Sequence, residues 1–318
     1  MKNIFKIFVL VLTLATSLSA QQENHYTMFM YNRLMYNPAF AGAREVGSIS
    51  GLYRGQWYSF PGAPSSQRIS FDTPVGAAKR VGIGATLSHH KIGVQRDYLA
   101  SLSYSYGLIQ TNTTSLKLGL MGSVLNYNYD FTNPDLLITD GVVNDPSLSN
   151  ANRSFNQGNF GAGVYFNYKK MYIGASVPNL LQNKLADIAN TATQQRHIYF
   201  MMGGIVPMTK SLDLRPSLMA RFVKNAPISF DANASVMYNK KVTLGLSYRT
   251  DSQIKAESLD ALAFFQVSNQ LGIGFAYDFT LSKLQKYNNG SLEAMIRYDF
   301  GRSNESARDV FDNPRFFF

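Results

Sequence analysis

The chain has 318 residues, a formal charge of +10 and no cysteine, which excludes disulfide staples, thiolate nucleophiles and Cys-based metal centres. Only 16% of its residues are charged, whereas it holds 22 Phe and 19 Tyr. Soluble domains average roughly 25% charged residues, and a wall facing lipid accounts for the deficit.

The chain opens on Lys2 and Lys6, continues as an apolar run from Ile7 to Leu14, and passes into Ala15, Ser17, Ser19 and Ala20. A basic start, a short apolar stretch and small residues predict a secretory signal peptide over 1–20, cleaved near Ala20. The run is too short to span a bilayer, which takes about 20 apolar residues. No later segment reaches even that length, so an inner-membrane helical protein is not expected. Removing Lys2 and Lys6, with no acidic residue before position 21, leaves 10 − 2 = +8. A basic exported protein suits anionic lipid headgroups or an acidic protein partner, and nucleic acid is not an expected partner.

Residues 21–45 form an N-terminal segment rich in Tyr26, Met28, Phe29, Met30, Tyr31, Leu34, Met35 and Tyr36. Burying such side chains is worth about 1.5 to 3 kcal/mol each, so the segment is expected to pack on or in the rest of the molecule as a plug. The alternative is a flexible periplasmic leader that orders on a partner.

From position 46 the sequence alternates with period two, the signature of strands. Ile49, Tyr53 and Trp57 share one parity while Ser48, Ser50, Arg54 and Gln56 take the other, with Leu52 as a misfit. Val81, Ile83, Ala85 and Leu87 then alternate with Gly82, Gly84, Thr86 and Ser88, and Tyr98, Ala100, Leu102, Tyr104 and Tyr106 with Ser101, Ser103 and Ser105. Strands are predicted near 46–57, 66–73, 81–89, 98–108, 115–127, 157–168, 171–177, 197–206, 212–222, 228–238, 242–249, 258–267, 271–279 and 290–300. The fold class is therefore all-β, a transmembrane antiparallel barrel of about 14 strands over 46–300. Residues 301–318, after the last strand, are expected to form a periplasmic C-terminal tail.

The connections support this reading, because outer-membrane barrels have short periplasmic turns and longer external loops. Tight turns at Lys169-Lys170, 207–211, 239–241 and 268–270 follow even-numbered strands. Longer connections near 89–97, 128–156, 178–196, 250–257 and 280–289 follow odd-numbered ones, and only 223–227 breaks the pattern. With the first strand running outward, both termini are expected in the periplasm. Lys79, Arg80, Lys169, Lys170, Lys210, Lys240 and Lys241 then form a basic ring on the periplasmic rim, which suits either lipid contact or docking of acidic periplasmic proteins of a secretion machine.

Catalytic chemistry is not expected. The four histidines, at 25, 89, 90 and 197, accompany no nucleophile elbow, metal helix or phosphate loop. His89 and His90 are neighbours in sequence at a strand end, so their rings diverge to opposite faces and no metal is expected there. Gly119–Gly122 and Gly272–Gly274 read as close packing between strands, and no cofactor is implied. Asp130, Asp135, Asp140 and Asp145 read as a solvated loop, with weak cation binding as the alternative.

The stretch from His25 to Pro74 holds the most distinctive pattern. It has Asn37-Pro38-Ala39-Phe40-Ala41-Gly42, then Leu52-Tyr53-Arg54 with Gln56 and Trp57, then Gly62-Ala63-Pro64, then Asp72-Thr73-Pro74. This closely resembles the PorP/SprF family, and Asn313-Pro314-Arg315-Phe316-Phe317 resembles its ending, although the final Phe318 departs from it. The resemblance implies an outer-membrane protein of the type IX secretion and gliding systems of Bacteroidota. Such members assist secretion of large surface adhesins and hold them by a C-terminal secretion domain. The motif positions Asn37, Pro38, Ala39, Gly42, Tyr53, Arg54, Gln56, Trp57, Gly62 and Pro64 are then structural or partner-binding. A diffusion porin or a transporter of hydrophobic substrates is the competing expectation, which requires an open lumen.

Overall fold

The structure, a computed structural model, describes residues 25–130, 153–183 and 193–300. The signal peptide, the C-terminal tail, and Asp135, Asp140 and Asp145 lie outside them. Fourteen antiparallel wall strands are formed among the described residues: β1 (Ser48–Gly55), β2 (Ser65–Val75), β3 (Val81–Ile92), β4 (Gln95–Gln110), β5 (Thr114–Tyr129), β6 (Arg153–Tyr168), β7 (Met171–Val177), β8 (His197–Gly204), β9 (Leu212–Val223), β10 (Ser229–Tyr238), β11 (Val242–Asp251), β12 (Ala256–Gln266), β13 (Leu271–Thr280) and β14 (Ser291–Asp299). A further two-residue strand, Val206–Pro207, follows β8 and pairs with β9.

Each strand pairs with its sequence neighbours, and β1 pairs with β14 from Ser48↔Asp299 to Gly55↔Leu292, so the sheet closes into a barrel. Closure leaves no unpaired edge around the wall, which backbone in lipid requires. The even positions of β1 are buried or half-buried, as in Ser48, Ser50, Leu52 and Arg54, while Ile49 and Tyr53 are exposed. On β4 the outward residues run from Tyr98 through Leu102, 72% exposed, to Tyr104 and Tyr106. Aliphatic side chains thus sit in the middle of the lipid-facing band with tyrosines at its borders. Leu52, the misfit to the alternation, is a buried residue of the core.

Three expectations need correction. β3 and β4 extend to Ile92 and Gln95, so their connection is a two-residue turn at Gly93-Val94 and not a loop over 89–97. The residues around it, such as His90, Lys91, Arg96 and Asp97, carry no apolar alternation because they stand beyond the lipid, yet the backbone ladder continues. Trp57 lies past the end of β1, at φ +50°, and so does not belong to the lipid-facing parity. His25, near the described N-terminal end, lies close to Glu257 at the start of β12, the end of that strand away from Lys240 and Lys241, whereas with the first strand running outward the N-terminus was expected at the opposite, periplasmic rim.

On β14 Ile296 and Tyr298, and just past it Phe300, face outward, while Glu293, Met295 and Arg297 are buried. Tyr298 packs edge-on against Phe300, which in turn meets Phe71 of β2 across the closing seam. Replacing both aromatics, Tyr298→Ser with Phe300→Ser, is expected to reduce the amount of heat-modifiable barrel in outer membranes. An unchanged amount in fractionated membranes would show that this seam does not guide assembly.

Candidate functional site: the filled lumen and its outer vestibule

Residues 25–44 do not continue the wall. They fold as three single 3-10 turns, Phe29–Tyr31, Arg33–Met35 and Pro38–Phe40, and nearly every residue is buried. Their partners come from strands all around the ring: β2, β4, β5, β6, β7, β12, β13 and β14. A segment that touches so many inward-facing positions occupies the lumen.

The Asn37 to Gly42 motif seats its lower half. Asn37 caps the third turn by accepting from the Ala39 N–H at 2.9 Å, and donates from Nδ2 to the Val164 carbonyl at 2.9 Å. Pro38 occupies the first position of that turn, where its missing N–H costs nothing. Ala39 lies against Gly119 of β5, where an added Cβ would stand 2.1 Å from the Ala39 nitrogen. That glycine makes room for the segment, not for a neighbouring strand. The Ala41 carbonyl accepts from Ser105 Oγ and Lys117 Nζ, both at 2.7 Å. Gly42 takes φ +61° with Pro74 and Gly82 pressed against it, and its N–H donates to Asp72 at 2.9 Å. Only a residue without a side chain fits this turn.

Arg33 and Arg44 anchor the same half. The Arg33 guanidinium lies 3.9 Å from the Phe40 ring centroid and 4.5 Å from that of Tyr172, a cation–π arrangement. Arg44 donates to the Tyr31 carbonyl at 2.7 Å and approaches Asp299 at 3.6 Å. Tyr31 stacks on Phe264 of β12 with centroids 4.4 Å apart.

An ionic cluster on the inner wall holds the upper half. Glu293 accepts from the backbone N–H groups of Thr27, at 2.6 Å, and Met28, at 3.0 Å. The Thr27 hydroxyl lies 2.5 Å from Asp278 and 3.0 Å from Asp260, so two plug residues meet three carboxylates. Arg54 neutralises part of that charge by pairing with Glu293 and, at 2.5 Å, with Asp278. Arg249 donates to Asp231 at 2.6 Å and lies 3.8 Å from both Asp260 and Asp278, and Arg221 pairs with Asp231. Burial, then the neighbouring Arg221, Arg249 and Arg54, hold the His25 imidazole well below its usual range.

Above this cluster a cavity of about 700 Å³ opens toward the connections that follow odd-numbered strands. Its lining includes His25, Trp57, His90, Asp97, Tyr129 and Asn159. The motif residues thus divide. Asn37, Pro38, Ala39 and Gly42 seat the plug, Arg54 clamps it, Gln56, Trp57 and Pro64 line the vestibule, and Tyr53 faces lipid. Gly62, at φ +72°, accepts a bond from the Gly93 N–H, tying the first two outer connections together. His89 stacks on Tyr98 while His90 bonds the Ser65 carbonyl, so the two rings diverge. Among the described residues no group of three His, Asp or Glu is placed to hold a metal. The sequence reading missed the clamp, although its signal was present: charged residues recur on the inward parity of strands that must cross lipid.

A closed antiparallel barrel with lipid-facing aromatic borders and a packed lumen defines an outer-membrane β-barrel protein. The family model described as type IX secretion system membrane protein PorP/SprF matches residues 18–298, and the chain belongs to that family. Among solved structures it is similar to a ΔS2S3 mutant of the monoaromatic hydrocarbon channel TodX, with TM-score 0.50 and 13% identity over 84% of this chain and 93% of that one. It is also similar to the Acinetobacter baumannii outer membrane protein Omp33, with TM-score 0.44 and 7% identity over 81% and 100% of the two chains. At 13% identity the likeness to TodX is one of fold alone. No curated protein is similar enough to match.

Proposed function

We propose that this barrel is a holder and not a pore. In this reading it performs no catalysis, assists secretion of large type IX substrates, and retains them at the cell surface through their C-terminal secretion domain, in the manner of a gliding-adhesin anchor. The observation that carries the reading is the lumen filled by residues 25–44, because a diffusion porin or a transporter of hydrophobic substrates needs a path that this segment occupies. Membership in a secretion family supports the choice of a protein as the partner. The domain plan that goes with it is a signal peptide over 1–20, a plug over 21–45, the barrel over 46–300 and a periplasmic tail over 301–318.

Purification of the tagged barrel from native outer membranes tests this directly. The expected result is a secreted protein bearing a C-terminal secretion domain, recovered in near-stoichiometric amount. Recovery of the barrel alone under mild detergent would overturn the anchoring role.

The basic turns belong to the same proposal. Lys79, Arg80, Lys169, Lys210 and Lys241 are exposed at the rim of the short turns, and Lys170 and Lys240 are half-buried there. Their stems can lie on the wall while their ammonium or guanidinium groups reach anionic phospholipid. Changing all seven to Gln is expected to leave both barrel abundance and surface display of the secreted protein normal. Lost display with normal abundance would instead identify the ring as a docking surface for acidic periplasmic machinery.

A further inference from the structure

The outer mouth carries a feature that neither the plug nor the lipid-facing wall explains. Three outer connections are successive around the rim, because β14 pairs with both β1 and β13 and β13 pairs with β12. They are 56–64, 281–290 and 252–255. The first two are fastened together: the Tyr58 N–H donates to the Gly290 carbonyl at 2.8 Å, and the Asn289 N–H to the Tyr58 carbonyl at 3.0 Å. The third is reached from Leu281, whose N–H donates to the Glu257 carbonyl at 2.9 Å.

These connections leave apolar side chains exposed. Tyr58 is 49% exposed, Phe60 48%, Tyr287 68% and Ile254 85%. Trp57 at φ +50° and Ile254 at φ +60° hold backbone conformations that bulky and β-branched residues avoid. Such strain persists only where the surroundings enforce it, and it gathers at functional sites. Ile254 gains no burial in return. β1 ends at Gly55, two residues after its one lipid-facing tyrosine, Tyr53, so Tyr58 and Phe60 stand beyond the strand. Lys283 and Lys286 lie on the exposed 3-10 turn Lys283–Lys286, and neither 56–64 nor 281–290 contains an acidic residue. Trp57 and Leu284 also line the vestibule, so the surface is continuous with it.

We propose that this rim is the docking platform for a folded protein domain whose contact surface has an apolar centre and acidic residues at its edge. The inference deepens the anchoring reading and rests on it. Exposed aromatics on hydrogen-bonded loops give contact area at little cost in ordering, and aromatic anchors carry much of the energy of such interfaces. The lysines select the sign of the partner's charge and make binding weaken as salt is raised.

The test compares the endogenous secreted protein retained by affinity-tagged barrel from native outer membranes, normalised to barrel amount and identified by mass spectrometry. Two variants are used: Tyr58→Ser with Phe60→Ser and Tyr287→Ser, and Lys283→Glu with Lys286→Glu. The second alters exposed side chains alone, and heat-modifiable mobility checks folding in both. The expected result is retention lowered by about tenfold or more in each folded variant, with wild-type retention falling as salt is raised. Wild-type retention in the folded lysine variant, or loss of lipopolysaccharide in place of protein, overturns the platform while leaving the anchoring reading standing. A wild-type barrel that retains no secreted protein overturns both.

Discussion

Deleting residues 25–44 behind an intact signal sequence is expected to turn a closed barrel into a conducting one. The wall does not need the segment for closure, because the ladder from β1 to β14 is made by strand backbones alone. What the deletion removes is the filling: Tyr26, Phe29, Tyr31, Tyr36 and Phe40, all almost fully buried among inward-facing side chains. The wall then left facing the lumen is largely small and polar, with Ser101, Ser103, Ser105, Ser115 and Ser123 on β4 and β5 alone. Water enters such a lumen readily, since hydroxyls and the charges of the clamp accept hydration. In planar bilayers the intact chain is expected to show no stepwise conductance and the deletion variant clear steps. Equal conductance in the two would mean that the segment does not block the lumen.

Arg54→Ala is expected to be the most damaging single substitution in the barrel wall. It takes their shared cation from Glu293 and Asp278, both almost fully buried, and leaves Asp278 with Arg249 at 3.8 Å. Breaking a buried pair on one side costs about 3 to 5 kcal/mol, because the remaining charge stays desolvated. Here the lower end is expected, since Arg54 borders the vestibule and water can reach the gap. The measurement is the temperature at which the detergent-solubilised barrel loses its heat-modifiable mobility. Adding Glu293→Gln to Arg54→Ala is expected to recover part of the loss, the mark of coupled neighbours. A single variant as stable as wild type would show that the clamp contributes nothing.

The wall was legible because its information is local. Period-two alternation such as Val81, Ile83, Ala85 and Leu87 against Gly82, Gly84, Thr86 and Ser88 needs no partner strand to be read, and it placed fourteen strands close to their observed bounds. Where side chains leave the lipid, as in His90 to Asp97, apolar contrast vanishes while backbone pairing persists, so β3 and β4 run longer than the pattern shows. The lumen was legible only in part. The aromatic load of residues 26–36 announced burial, but the partners of Thr27 are set by register across 233 to 266 residues of sequence. Arg54 and Glu293 likewise meet only because β1 pairs with β14. The strained Trp57 is invisible to alternation, which counted it as one more lipid-facing aromatic.

The central claim is that residues 25–44 are a fixed plug of the barrel and not a segment that enters and leaves. Hydrogen exchange of the intact protein in native outer-membrane vesicles, followed by mass spectrometry, tests it most directly. The Thr27 and Met28 N–H groups are bound to Glu293 and the Gly42 N–H to Asp72, all away from solvent. Peptides covering 25–44 are therefore expected to exchange as slowly as those of β1 and β14. Exchange of that stretch within seconds, at the rate of an exposed loop, would contradict the account.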